Sequence, residues 1–339
     1  MADVLPADVT GLPDGLTARP LTLDDAGAAA ELLEAAEAVD DTGEHEDADD
    51  LTEWWGRELV DLPHDGRAVV TAEGRLVGWA TSIDNRGARD AHRIWSEGRV
   101  HPEARGRGVG RALLAWQVRR GAEQHAAHRP EMAGRLVATA YPAMTSAARL
   151  LERAGFEVER YYNAMERPLD DVPAVPAVRG VDLVPFTWDR DDEIRRAHNA
   201  AFTAHHGSSE RDELAWRSWF TGQKAFRPEL SVLALADGAV VGYVLAYVYD
   251  ADTRATGVRT TQLGQIGVLP EARGRGVATA AIAAALDAAA RGGCRRAALD
   301  VDTENSTGAL ALYERVGFRT TRVRTAWALA LPPVTGAGR

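Results

Sequence analysis

The chain has 339 residues, 45% hydrophobic and 26% charged, which at about 150 residues per domain suits two globular domains with real cores. No apolar run approaches the ~20 residues of a bilayer span, no basic and then apolar leader opens the chain, and the single Cys294 excludes an internal disulfide, so a cytoplasmic protein is expected. The 39 Lys and Arg against 50 Asp and Glu give a net charge of −11, which works against nucleic-acid and anionic-membrane partners and mildly favours cations.

In chain order the elements repeat once. A helical stretch over 28–39 is followed by a second helix carrying Trp54-Trp55. A hairpin comes next, Val69-Val70 and Leu76-Val77 around Glu73-Gly74, and then a strand that runs into a glycine-rich segment, Arg105-Gly106-Arg107-Gly108. An alanine-rich helix, a buried strand over 136–140, a short helix and a terminating Gly155 complete the copy. The second copy has the same order: a helix over 191–202, a helix with Trp216 and Trp219, and a hairpin around Asp237-Gly238. Arg273-Gly274-Arg275-Gly276 follows, then a helix ended by Gly292-Gly293, a strand over 297–301 and Gly317. A last strand alternates Val323, Thr325, Trp327, Leu329 and Leu331 on one face.

Four pairs of segments carry the duplication, in the same order and 162 to 168 residues apart. They begin at Pro20 and Pro185, Ala72 and Ala236, Val100 and Val268, and Glu152 and Glu314. The expected organisation is an N-terminal arm over 1–16, a domain over 17–168, a proline-punctuated linker over 169–180, a domain over 181–331 and a tail over 332–339. Fold class is mixed α/β, with a mixed sheet in each copy.

Glycines between a strand and a helix let several backbone N–H groups converge on one point with the positive end of the helix behind them, which makes a seat for a phosphate or pyrophosphate. Arg273 and Arg275 could add charge. A plain tight turn is the bland alternative, and the appearance of the motif twice in one context argues against it. No Gly-Lys-Ser/Thr follows, which disfavours a nucleoside-triphosphate loop, and the glycines come after a hairpin rather than after the first strand, which disfavours a dinucleotide fold.

Arg273-x-x-Gly276-x-Ala278 after a strand ending Val268-Leu269-Pro270, followed by Asn305 and then Tyr313-Glu314-Arg315-Val316-Gly317-Phe318, resembles the GNAT superfamily of N-acetyltransferases, twice over nearly the whole chain. The tandem pair, with Gly317-Phe318 and then Thr325-Ala326-Trp327-Ala328-Leu329, is also similar, more loosely, to the actinobacterial mycothiol synthase group. The resemblance implies two tandem acyltransferase domains that use acetyl-CoA as co-substrate. Its pyrophosphate would lie on the N–H groups of Gly274, Arg275, Gly276, Val277, Ala278 and Thr279. Its pantetheine would run along Ile266, Gly267 and Val268, with Asn305 and Ser306 nearby and the Val268 N–H as oxyanion donor. The first copy offers the matching set Val100, Arg105, Gly106, Arg107, Gly108, Val109, Gly110 and Arg111.

The resemblance also implies that Tyr313 protonates the leaving thiolate. The first copy has Leu151 at that place, Ala143 for Asn305, and Ala138 and Ala140 for Asp300 and Asp302, so chemistry is expected in the second copy. The glutamate that the resemblance calls for as base is absent there: the strand reads Gln262-Leu263-Gly264-Gln265. Asp302 and Glu304 are then the substitutes, although the first copy keeps Glu97 opposite Gln265. Glu44, Glu46, Asp47, Asp49 and Asp50 form an acidic run that reads as a solvated loop or an acceptor contact, and His205-His206 lacks partners spaced for a metal. The expected activity is direct transfer of acetyl to the primary amine of a small molecule or peptide, by a monomer of two pseudo-equivalent domains or a homodimer. A non-catalytic acyl-CoA sensor is the rival reading.

Overall fold

The computed structural model describes residues 8–85, 87, 90–203, 208–304 and 308–333. The chain folds into two compact units, one of residues 1–160 with 324–339, the other of residues 161–323.

In the first unit the strands are β1 (Leu16–Pro20), β2 (Gly66–Thr71), β3 (Leu76–Asn85), β4 (His92–Val100) and β5 (Gly134–Ala140). The helices are α1 (Ala26–Asp40), α2 (Ala48–Trp55), α3 (Leu62–Asp65), α4 (Val109–His128) and α5 (Thr145–Arg153). Strands β1 to β4 form an antiparallel meander. Helix α4 is the crossover that makes β4 and β5 parallel, since two parallel strands cannot be joined by a tight turn. Two chain segments then run on, β6 (Glu157–Pro168) and, from the far end of the sequence, β12 (Arg319–Leu331). Residues 325–331 of β12 pair with β5 and close the first sheet.

The second unit contains β7 (Asp182–Pro185), β8 (Val232–Ala236), β9 (Ala239–Tyr247), β10 (Thr260–Val268) and β11 (Arg296–Asp302). Its helices are α6 (Asp191–Ala201), α7 (Glu213–Trp216), α8 (Asp250–Thr256), α9 (Val277–Arg291) and α10 (Ala309–Arg315). Its hairpin turns on Asp237 and Gly238, both at positive φ, as a two-residue turn between twisted strands requires. Residues 162–168 of β6 pair antiparallel with β11, so this unit too takes its outermost strand from a segment the repeat assigns to the other copy.

This exchange moves the boundaries away from the proline stretch. Leu169 is buried and its N–H donates to Arg295 O at 3.0 Å, and the Arg167 guanidinium donates to the carbonyls of Val316 and Asp171. The start of the expected linker is therefore core of the second unit. Nor are residues 8–16 a loose arm: Val9 is buried among Val69, Val77 and Trp116, and Arg119 donates to Asp8 O at 2.8 Å. Among the described residues no helix is long and apolar enough to cross a membrane.

Candidate active site

In the second unit β10 and β11 are paired only at Thr260 with Arg296, Thr261 with Ala297 and Gln262 with Ala298. Beyond that rung they part, although β10 continues to Val268 and β11 to Asp302. A β-bulge between Leu263 and Gln265 marks the parting, and bulges re-aim strands at such places. Among the described residues, the side of β10 turned toward β11 thus has no strand against it over Gln265, Ile266, Gly267 and Val268, which leaves main-chain groups for an extended ligand to meet.

The glycine turn stands at the end of that edge. Gly274 and Gly276 have φ of +74° and +86°, where a side chain is strained, and among the described residues nothing lies within 4 Å of where a Cβ would be on either. Gly276 is the N-cap of α9 and offers no side chain to its first N–H groups, so those of Val277, Ala278 and Thr279 face an open cradle. Arg273 does not reach into it. Its Nε donates to Val268 O at 3.2 Å and its Nη2 to Ala201 O at 2.7 Å, which ties the turn to the end of α6. Arg275 donates to Arg179 O at 3.0 Å.

Tyr313 on α10 is buried in the core cluster against which Ile266 packs, with Phe318 edge-on at 6.3 Å. Burial pushes its phenol up to about 12, so it stays protonated. Asp302 ends β11 and accepts the Glu304 N–H at 2.9 Å; Asp302 is buried and Glu304 exposed. Asp300 accepts from the Gln262 amide at 3.0 Å. Asn305, Ser306, His205 and His206 lie outside the described residues.

The first unit repeats the frame with different contents. Strands β4 and β5 are paired from His92 with Gly134 to Trp95 with Val137 and then part, and the β3–β4 register runs without a bulge. Gly106 and Gly108 have φ of +74° and +100°, and Gly108 caps α4, with Val109 buried, Gly110 half-buried and Arg107 and Arg111 exposed. Arg105 donates to Val100 O at 3.0 Å and pairs with Asp40 through both guanidinium nitrogens at 2.7 and 2.8 Å. Phe156 N–H donates to Leu151 O just as Phe318 N–H donates to Tyr313 O, each at 3.0 Å, so Leu151 stands where the second unit has its tyrosine.

The acidic run divides in two. Asp47 and Asp50 form a reciprocal cap on α2. Glu44 and Glu46 instead line a shallow open cleft with Leu33, Asp40, Thr42 and Arg99. Tyr141 donates to Glu44 at 2.5 Å. Glu46 is walled in by protein though open to solvent on one side. This enclosure, with Glu97, Glu44 and Asp50 near, pushes its carboxyl up to about 7 against the pull of Arg99. Partial desolvation, with Glu44 near, raises the exposed Glu97 as well.

Two functional candidates that motif reasoning misses are His198 and Tyr243 in the second unit. His198 Nδ1 and the Tyr243 hydroxyl are 2.7 Å apart, and both side chains are buried. The only advance signal is a histidine on the apolar face of α6. Trp216, by contrast, is core: its indole N–H donates to Asp191 at 2.7 Å.

A strand that leaves its parallel neighbour beside an open glycine turn, with a helix N-terminus behind the turn, defines a coenzyme-linked acyltransferase frame, and the chain has two. Residues 192–318 match the acetyltransferase (GNAT) family model and residues 64–158 a second acetyltransferase (GNAT) domain model. The chain belongs to the GNAT acetyltransferase family and is an N-acetyltransferase. It is 33% identical over 284 residues to a mycothiol acetyltransferase of Frankia casuarinae, covering 78% of this chain and 77% of that one. It is 32% identical over 318 residues to one from Geodermatophilus obscurus, covering 90% and 95%. A solved GNAT structure from Sphaerobacter thermophilus superposes with a TM-score of 0.76 at 27% identity over 95% of this chain and 98% of that one. A tandem GNAT protein of the clavulanic acid biosynthesis pathway gives 0.65 over 94% and 99%, at 22% identity, a likeness of fold alone.

Proposed function

We propose that the chain transfers acetyl from acetyl-CoA directly to a primary amine of a small molecule or peptide, with the chemistry in the second unit. The observation that carries this reading is the parting of β10 from β11 at Gln262, with the open cradle of Gly274 to Thr279 at the end of the exposed edge. In this reading the N–H groups of Gly274, Arg275, Gly276, Val277, Ala278 and Thr279 hold the pyrophosphate, with the α9 N-terminus adding favourable charge. Arg273 acts through position, since its guanidinium is engaged with Val268 and Ala201, and Arg275 borders the same turn. Ile266, Gly267 and Val268 align the pantetheine, and the Val268 N–H stabilises the developing oxyanion. Tyr313, kept protonated by burial, gives a proton to the departing sulfur. Asp302 and Glu304, at the end of β11, are the candidate substitutes for the missing strand glutamate as base, and Asn305 and Ser306 the candidates for coenzyme contacts. In the first unit Val100, Gly106, Arg107, Gly108, Val109, Gly110 and Arg111 form a second coenzyme seat braced by Arg105, without a proton donor at Leu151.

A finer reading, acetylation of a cysteinyl-glucosaminyl-inositol amine, is favoured by the names of the relatives at 32–33% identity. Gln262 and Gln265, where the resemblance calls for a carboxylate, weigh against a simple transfer of that assignment.

The test is acetyl-CoA binding by calorimetry followed by thiol release over a panel of amines that includes this one. Release with one amine, lowered at least tenfold by Tyr313→Phe with binding of acetyl-CoA unchanged, is the expected result. Tight binding without release on any amine would make the chain an acyl-CoA sensor.

A further inference from the structure

The second unit has glutamine at both strand positions where the resemblance calls for a carboxylate base; of the two substitutes, Asp302 is engaged with the Glu304 N–H and Glu304 is exposed, so the proton leaving the acceptor amine needs a destination on the β10 side. We propose that Tyr243 and His198 together accept that proton, an inference that rests on the acetyl-transfer reading above.

The pair stands on the strand that would carry the acyl group. Tyr243 lies directly across from Gly267 in the β9–β10 register. A Cβ on residue 267 would be 2.5 Å from the Tyr243 hydroxyl oxygen, so only glycine lets that oxygen lie against the β10 main chain. Helix α6 brings His198 Nδ1 to within 2.7 Å of the same oxygen. The rest of the surroundings are aromatic: Phe202 stacks on the imidazole at 4.6 Å, and Trp216 and Phe220 lie at 5.3 and 5.1 Å. Among the described residues, charged groups in contact with this cluster include Asp191, held by Trp216 and Thr221, and Arg211, whose guanidinium lies over the Phe220 ring. The two polar side chains satisfy each other inside this aromatic cluster, which fixes the imidazole and the phenol in one orientation.

The first unit shows what borders the equivalent positions there. Helices α1 and α6 begin 165 residues apart, at Ala26 and Asp191, so His198 corresponds to Leu33. Tyr243 and Gly267 correspond to Trp79 and Arg99, which face each other in the same cross-strand register. Leu33 and Arg99 both line the open cleft of that unit. His198 and Gly267 therefore occupy positions that border a cleft in the sister copy. There the histidine is replaced by a leucine and the glycine by a long cation.

The step balances as follows. The amine nitrogen forms a bond to the thioester carbon, and the C–S pair departs on sulfur, which takes a proton from Tyr313. One N–H bond of the amine breaks, and its proton passes to the Tyr243 oxygen as the Tyr243 O–H proton passes to His198 Nδ1. Imidazolium at His198 then releases its proton to water, and Tyr313 regains one. Burial holds the Tyr243 phenol well above its ordinary range, so it relays the proton without resting as a phenolate.

The experiment uses the full chain with acetyl-CoA and the amine that gives the highest rate. It measures kcat against pH from 5 to 9 at saturating amine, together with acetyl-CoA affinity. Tyr243→Phe and His198→Gln should each lower kcat by about 10- to 100-fold, remove the acid limb of the profile and leave acetyl-CoA affinity within twofold. The double variant should be no slower than the slower single one. Retention of the wild-type profile in both variants overturns the assignment. Loss of acetyl-CoA binding in Tyr243→Phe, which removes one oxygen, makes the pair structural and overturns it equally. Failure of the wild-type chain to bind acetyl-CoA or release thiol would instead sink the underlying reading.

Discussion

Gln262 donates its side-chain amide to Asp300 at 3.0 Å on the last rung that joins β10 to β11. The bond pins the strands together immediately before they part, and a carboxylate at 262 could not make it. Gln262→Glu would set two carboxyls side by side, where like charge raises the affinity of one for a proton. The folded-state value then lies above the unfolded one, so stability is lost as pH rises through the shifted value. Because the pair is exposed, the loss is small: a melting temperature about 1–2 °C below wild type at pH 8, recovering at pH 5. Scanning calorimetry at the two pH values checks it. Restored or increased acetyl transfer in this variant would show that the glutamine is a lost base rather than a strand clasp.

Glu46 gives a pH effect of its own. Its carboxyl, at about 7 in the folded chain, lies above the ordinary glutamate value of 4.5, so the folded state holds the proton more tightly. Stability is therefore fully present below about 4.5 and falls as pH rises to about 7. Glu46→Gln removes the repulsion. Since Glu46 is partly in water, a discounted gain of about 2–4 °C at pH 8 is expected for the first unit, with no gain at pH 4. A gain that is the same at both pH values would place its origin in something other than the carboxylate cluster.

Much of the architecture could be read in advance, and the parts that could not share a cause. Asp237-Gly238 needs positive φ whatever surrounds it, so the hairpin is visible locally, as are the two glycine turns before α4 and α9. The equivalence of Leu151 and Tyr313 follows from the repeat and reappears as the same backbone hydrogen bond. The exchange of outer strands is invisible, because the partner of β5 lies some two hundred residues away and nothing within residues 319–331 specifies which sheet they join. The same holds for His198, whose partner comes 45 residues later on another element. Arg273 and Arg105 show the third case: their spacing suits a phosphate, yet only the folded chain reveals that Val268 O and Val100 O hold them first.

Arg105 and Asp40 form a partly buried bidentate pair between the first unit's glycine turn and the end of α1, with the Asp40 side chain 4% exposed. Removal of one partner strands the other, so Asp40→Asn should destabilise the unit by about 2–3 kcal/mol, read as a fall of roughly 4–12 °C in its melting temperature. Among the described residues Arg273 meets the Ala201 carbonyl at the matching place, in an exposed contact, and Arg273→Met should cost under about 1 kcal/mol. Arg105→Met with Asp40→Leu should restore part of the loss. Equal sensitivity of the two arginines would contradict the difference in their partners.

Gly276 separates stability from binding. At φ +86° an alanine is strained by about 1–2 kcal/mol, but no atom of the described residues lies within 4 Å of the added methyl, so the fold itself accommodates it. The methyl would stand at the open cradle, beside the N–H groups of α9. Gly276→Ala should therefore weaken coenzyme A binding at the second unit at least tenfold while moderate heating still finds it folded. Gly108→Ala does the same in the first unit, with the Arg111 guanidinium 3.5 Å from its methyl as the only added crowding. Titration calorimetry of the wild type should resolve two coenzyme sites, and each variant should leave one. A pair of variants that melt as expected but keep both sites would mean that the diphosphate is held elsewhere than on these main-chain amides.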